Sequence, residues 1–283
     1  MMAMNNYESR NINTRITRSL ERVPPVPPSF FMVNSFSGTF RQKVVISVSH
    51  GSPVVMIINK RIQVGPKIES SVMPDLRPMT SDLGVLTRPD GTVTFTQGDT
   101  GILAAVYGPG EVKIAREILD RATVEVIYKP KSGLPGCSER LHERYIRNTV
   151  ETAILASLHP RSCISVTVQE LQNSGSLLAC SVNAACLALL DACVNMKYLI
   201  AGVHVIIDRE GNMILDPDLK QEMEKVAGVT FVLENQNYSV VTMSSRGSLT
   251  TEHFHKCLLY AQAAAKQIFS FYRIAVEKKM SKP

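Results

Sequence analysis

Tryptophan is absent from the 283 residues, and phenylalanine with tyrosine brings the aromatic share to only 6%. That shortage excludes an extended platform for stacking bases. No CxxC pair occurs among the six cysteines, Cys137, Cys163, Cys180, Cys186, Cys193 and Cys257, and three of them fall within one stretch of alanines and leucines. They read as small buried hydrophobes in a reducing compartment, not as disulfides or metal ligands. No apolar run approaches the roughly 20 residues that span a bilayer, so no membrane partner is expected. The opening MMAMNNYESRNINTRITRSLERV lacks the apolar centre of a secretory signal, and Glu8 and Glu21 argue against a mitochondrial presequence. GxxxxGKS or GxxxxGKT, GxSxG and HExxH are missing too, which leaves nucleotide hydrolysis, esterase and zinc-protease chemistry without a motif.

What remains is an ordinary globular composition, 45% hydrophobic and 20% charged, in a chain long enough to bury a sizeable core. The net charge of +6 is unevenly placed: residues 1–75 hold nine Lys/Arg against four Asp/Glu, so the remainder is nearly neutral. A nucleic-acid footprint over the whole surface is therefore unsupported, and any such site must be local. Residues 1–75 contain a Pro-rich break, VPPVPPSFF, and two apolar runs around His50-Gly51-Ser52-Pro53. These runs suit a hairpin, but the segment lacks a helix-period face, and it is taken as a poorly ordered N-terminal extension.

From Leu76 onward the pattern is regular. Alternation on both sides of Gln97-Gly98-Asp99-Thr100 predicts two strands and a tight turn, and 122–130 predicts a third strand. Residues 138–158 place Leu141, Tyr145, Val150, Ile154 and Leu158 on a helical stripe, and 163–171 alternates as a strand. Residues 178–196 are apolar or small nearly all round, the mark of a buried helix. A hairpin turning at 208–211 follows, then a short polar helix for which Asp216 and Pro217 suit the N-cap and first position. A second hairpin and a helix over 251–277 close the chain. His253 and His255, near the start of that helix, have no partner ligands and read as surface histidines. Strand groups alternating with helices imply an α+β fold of mixed sheets packed with helices: one domain, 76–283, behind the extension 1–75.

The segments LRPMTSDLGVLTRPDG (76–91), FTQGDTGILAAVYGP (95–109), GLPGCSERLHERYIRNTVETAI (133–154), LASLHPRSCISVTVQEL (155–171), SGSLLACSVNAACLALLDA (174–192) and QAAAKQIFSFYR (262–273) resemble, in this order, the ribonuclease PH family. More narrowly they are similar to the ring subunits of the eukaryotic RNA exosome. The resemblance covers 76 to about 280. It implies a domain that pairs side by side with related subunits into a six-membered ring, with RNA-binding cap subunits on one face and RNA in the channel. It further implies rRNA maturation and decay of mRNA and non-coding RNA, in nucleus, nucleolus and cytoplasm.

Active members of the family attack RNA from its 3′ end with inorganic phosphate. Joining two anions requires cationic or N–H donors for the phosphate, and usually a metal held by carboxylates. The resemblance sets a Gly-Gly-Thr-Arg-type turn against Gly175-Ser176-Leu177-Leu178, so Leu177 and Leu178 occupy the hydroxyl and guanidinium positions. A phosphate beside two leucines loses its counter-charge. The two metal-directed aspartates correspond to Glu222 and Gly228, and glycine supplies no ligand. Asp216 and Asp218 are assigned to capping. No catalytic residue, metal or cofactor is expected, and the chain reads as a non-catalytic ring subunit. The alternative is a phosphate-dependent 3′-to-5′ exoribonuclease acting as a homo-oligomer, with Glu222 and backbone groups substituting. A stand-alone nucleic-acid binder using Arg140 and Arg144 is the third reading.

Lys129 and Lys131 flank Pro130 ahead of the 138–158 helix, and Arg140, Arg144 and Arg147 recur on one of its faces. In related subunits this region lies towards the channel, which makes Lys129, Lys131, Arg140 and Arg144 candidates for sequence-blind contacts to RNA phosphates. The competing expectation is a solvated face in which Glu139, Glu143 and Glu151 neutralise the arginines, with Arg147 structural.

Overall fold

The computed structural model describes residues 76–281 and, as backbone, 55–57. Its strands are β1 (Val55–Ile57), β2 (Met79–Leu83), β3 (Gly91–Gln97), β4 (Thr100–Glu111), β5 (Thr123–Lys129), β6 (Ser162–Gln172), β7 (Ile200–Ile207), β8 (Met213–Leu215), β9 (Ala227–Glu234) and β10 (Val240–Gly247). The helices are α1 (Cys137–Ala153), α2 (Leu177–Asp191), α3 (Leu219–Glu224) and α4 (Thr251–Met280). One five-stranded sheet has the order β2-β3-β4-β6-β5, the other β1-β10-β9-β7-β8. Every pairing is antiparallel except β5 with β6, which α1 joins as a crossover.

The β3–β4 hairpin turns at Gly98 and Asp99 as its alternation predicts, with Gln97 opposite Thr100 and Gly98 in the left-handed region at φ 58°. Helix α2 lies between the sheets, touching β3 and β4 of one and β7 and β9 of the other. Every residue from Ala179 to Leu189 is buried, so small side chains let the two sheets close on a helix that has no solvent face. Asn183 is the polar residue at its centre. Its amide donates to Gly202 O at 3.1 Å, and its oxygen accepts from Gly202 N at 2.7 Å and Tyr272 OH at 2.9 Å. Helix, β7 and α4 are tied by one satisfied side chain.

Helix α4 buries Cys257, Leu258, Ala261, Ala264, Ala265, Ile268, Tyr272 and Ala275, a three-and-four spacing along one face. Thr250 caps it, its hydroxyl accepting from His253 N. All six cysteines carry free thiols, four of them buried.

Two expectations are corrected. Helix α1 ends at Ala153 because Ile154 turns extended, at φ −79° and ψ 147°, and bridges to Met196; Leu158 then falls in a separate short 3-10 turn and is 53% exposed. Asp218, not Asp216, caps α3, with its N–H donating to Gln221 Oε1. Within the presumed extension, Val55–Ile57 forms an edge strand antiparallel to β10. The proposed hairpin turn at 50–53 and the rest of 1–75 lie outside the described residues.

Candidate functional site

The loop from β6 to α2 passes through Gly175 at φ 101° and Ser176 at φ 54°. Two consecutive left-handed residues aim the start of α2 at the strands β7, β9 and β10, and no side chain caps the helix. The loop is held from below by a buried ion pair. Arg77 donates through Nε and Nη2 to the two oxygens of Asp216, at 2.9 and 2.7 Å, and through Nη1 to Ser174 O at 3.1 Å. Gln97 adds a donor to Asp216 at 2.8 Å, and the Thr100 hydroxyl donates to Gly175 O at 2.8 Å. Asp216 is 2% exposed and sits at φ 49°, a left-handed position that aspartate tolerates better than most residues.

Above the loop is a cavity of about 350 Å³, lined by the four positions singled out in the sequence, Leu177, Leu178, Glu222 and Gly228, and by Ser176. The two leucines line its α2 side. Glu222, from α3, reaches back across it. Its Oε2 accepts from Ser176 N at 3.3 Å and its Oε1 from Lys225 Nζ at 2.8 Å. Burial works to raise the pKa of this carboxyl, but the Lys225 bond, His204, the Lys225 charge and the Ser176 N–H together hold it below the usual carboxylate range.

At Gly228 a Cβ would already stand 3.2 Å from Lys225 Cδ and 3.3 Å from His204 Cε1. A carboxylate there would require both neighbours to move. Of the paired carboxylates a divalent metal would need, Glu222 is engaged by Ser176 N and Lys225, and Gly228 supplies none. Among the described residues no three His, Cys, Asp or Glu side chains converge as a metal site.

Among the lining residues not foreseen as part of a site are His142 and Tyr145 of α1, His204 of β7 and Arg246 of β10. They are far apart in sequence and carry no local motif, so only the packing of α1 against β10 and of β7 beside β9 brings them together. His204 Nδ1 lies 2.8 Å from the Thr230 hydroxyl, and its Nε2 has no hydrogen-bond partner. Burial pushes its pKa down to about 4, against the pull of Glu222 and with help from Lys225. His142 is also held down, by burial and then by Arg246. Both imidazoles are thus neutral near pH 7.

The basic candidates lie elsewhere. Lys129, Lys131, Arg140, Arg144 and Arg147 are all exposed, and none lines the cavity. The glutamates expected to neutralise them are committed to other groups. Glu139 accepts from Gly136 N and the Ser138 hydroxyl, Glu143 from Tyr128 N, and Glu151 pairs with Arg121. Among the described residues no ion pair forms to Arg140, Arg144 or Arg147.

Comparison with known proteins places this geometry. The 3′ exoribonuclease family (RNase PH) matches as domain 1 over residues 75–195 and domain 2 over 199–264. The exosome complex exonuclease RRP46 homolog of Arabidopsis thaliana is 32% identical over 73% of this chain and 94% of its own length. The exosome complex component RRP46 homolog of Caenorhabditis elegans is 31% identical over 73% and 96%. The crystal structure of rice (Oryza sativa) Rrp46 superposes with a TM-score of 0.70, at 31% identity, covering 74% of this chain and 98% of that one. The chain belongs to the RNase PH 3′ exoribonuclease family.

Proposed function

We propose that this protein is an Rrp46-type subunit of the RNA exosome core ring, and that within the ring it is architectural and non-catalytic. Its relatives named as RRP46 of the exosome complex support the first part. The second part is carried by one observation. The N–H at the turn before α2 is occupied by the chain's own Glu222, flanked by Leu177 and Leu178, while Gly228 offers no second carboxylate. Neither an attacking phosphate nor a charge-offsetting metal finds its holders there.

In this reading the partners are other RNase PH-like subunits, RNA-binding cap subunits and RNA, in nucleus, nucleolus and cytoplasm. Exposed apolar side chains around β5, among them Tyr107, Ile114, Leu119 and Ile127, suit burial against a neighbouring subunit. Lys129, Lys131, Arg140 and Arg144, free of neutralising glutamates, suit phosphate contacts along the RNA path.

The test is release of nucleoside diphosphates from a 3′-labelled RNA by the purified chain, with and without phosphate and magnesium, beside affinity capture of its partners. No phosphate-dependent release together with copurifying ring subunits is expected. Phosphate-dependent release by the unaltered chain would establish the homo-oligomeric exoribonuclease instead.

A further inference from the structure

A strand at the edge of a β-sheet presents a row of N–H and C=O groups without partners, so an extended segment of another chain can pair with it. Folded proteins guard such edges with charged side chains, irregularities of the ladder or very short strands. The two sheets have four edges, and three carry a guard of their own. β2 bears the exposed Asp82, β5 bears Glu125 and the exposed Lys129, and β8 is only three residues long.

The fourth edge is built differently. β10 would be the last strand of its sheet, but β1 pairs with its outer side, Val55 opposite Ser244, Met56 opposite Met243 and Ile57 opposite Thr242. Among the described residues no other strand reaches that side. β10 has guards only at its two ends: its ladder to β9 shifts register between Val240 and Thr242, and Arg246 stands exposed near the far end. Between them Thr242, Met243 and Ser244 carry no charge, no proline and no irregularity. β1 covers this stretch and no other part of β10.

The covering segment suits this place by composition. Val55 and Ile57 are β-branched and favour extended backbone, and no charge occurs in VVMII (54–58). β1 also precedes residue 75, where the family match begins, so the cover comes from outside the matched domain. Three paired residues are held by few main-chain bonds, and so short a strand opens more readily than the core ladders beside it. An edge closed in this manner can be reopened.

We propose that the outer edge of β10 at 242–244 is an acceptor for an extended polypeptide segment, and that Val55–Ile57 is its resident occupant, closing the edge to other chains until it is displaced. Recognition is by main-chain hydrogen bonds, so the partner that fits is an extended, uncharged segment rich in β-branched residues, not a folded surface. Neither ring membership nor catalytic silence is needed for this pairing.

The experiment uses the full chain, unaltered and as Met56→Pro/Ile57→Pro. Adjacent residues of a strand direct their N–H groups to opposite sides, so two consecutive prolines remove a donor to β10 whichever of the two faces it. The probe is a fluorescently labelled peptide of residues 52–60, SPVVMIINK, read by anisotropy. Hydrogen exchange reports the outward amides among 242–244, and thermal unfolding checks the fold. The prolines should speed exchange at those amides by roughly tenfold or more, and the peptide should slow it again. The peptide should bind the proline variant roughly tenfold or more tightly than the unaltered chain, whose edge is already filled. If the prolines prevent folding, Val55→Gly/Ile57→Gly takes their place, since glycine weakens a strand without removing a donor. The proposal is overturned if exchange at 242–244 is unchanged in the folded variant, or if the peptide binds it no more tightly than the unaltered chain.

Discussion

Arg77→Met is the perturbation whose cost the structure defines best. Asp216 is 2% exposed, and three of its four donor contacts come from Arg77: Nε at 2.9 Å, Nη2 at 2.7 Å and the main-chain N at 3.3 Å. Methionine preserves the stem and the main-chain contact. It leaves a buried carboxylate with the Gln97 amide as its one side-chain donor. Breaking one side of a buried pair typically costs about 3–5 kcal/mol, because the remaining charge stays desolvated. For a domain of this size that corresponds to a fall in Tm of roughly 6–20 °C. Asp216→Asn should cost less, because Arg77 keeps Ser174 O, Gly175 O and the exposed Asp218 as acceptors. The double variant should therefore be more stable than the sum of the two singles predicts, by up to about 3 kcal/mol. Denaturant unfolding of all four proteins gives the cycle, and hydrogen exchange at 173–178 reports the loosened turn. Arg77→Met unfolding within about 1 kcal/mol of the unaltered chain, or strict additivity, would refute the reasoning.

Gly175→Ala should destabilise by more than an ordinary loop substitution. Its φ is 101°, and the added Cβ would lie 2.3 Å from Pro217 O; thermal unfolding checks this. Stability should also fall with acid. The folded pKa of His204, about 4, lies below the unfolded value near 6.5, so the unfolded chain binds the extra proton first. The contribution is intact above pH ~6.5, is lost progressively down to pH ~4, and amounts to at most about 3 kcal/mol. His204→Gln, followed by denaturant unfolding across that range, should flatten the slope. If Arg140 and Arg144 meet RNA, the pair Arg140→Ala/Arg144→Ala should weaken RNA binding for all sequences alike. It should also lower the slope of log affinity against log salt by roughly 1 per lost phosphate contact, read by fluorescence anisotropy.

Legibility in the chain followed the range of the interactions. The β3–β4 hairpin and the all-round apolar α2 are local patterns, and both stand where alternation and composition put them. The turn at 175–178 was visible for the same reason, and Glu222 and Gly228 line the cavity beside it. Asp216 was misread because capping is a local rule, whereas its real partner, Arg77, is 139 residues away. The pairing of arginines with glutamates on α1 failed similarly. Spacing showed the two charges close together, but Glu143 turns to the β5 backbone and Glu151 to Arg121, a choice made by tertiary packing. His142, Tyr145, His204 and Arg246 had no signature at all, since three elements separated in sequence must assemble before they meet.

The junction between the two family segments falls at 195–199, yet among the described residues the core runs across it. Asn183 belongs to the first segment, while Gly202, whose N–H and C=O it binds, belongs to the second, and Tyr272 lies beyond both. A chain cut at this junction would yield one fragment with its central helix half bare and another with an uncovered sheet, and neither could retain its shape alone. Heating or denaturant should therefore dissolve both sheets in one step: the family's two domains are a division of the alignment, and the unit of cooperativity is the whole core around α2.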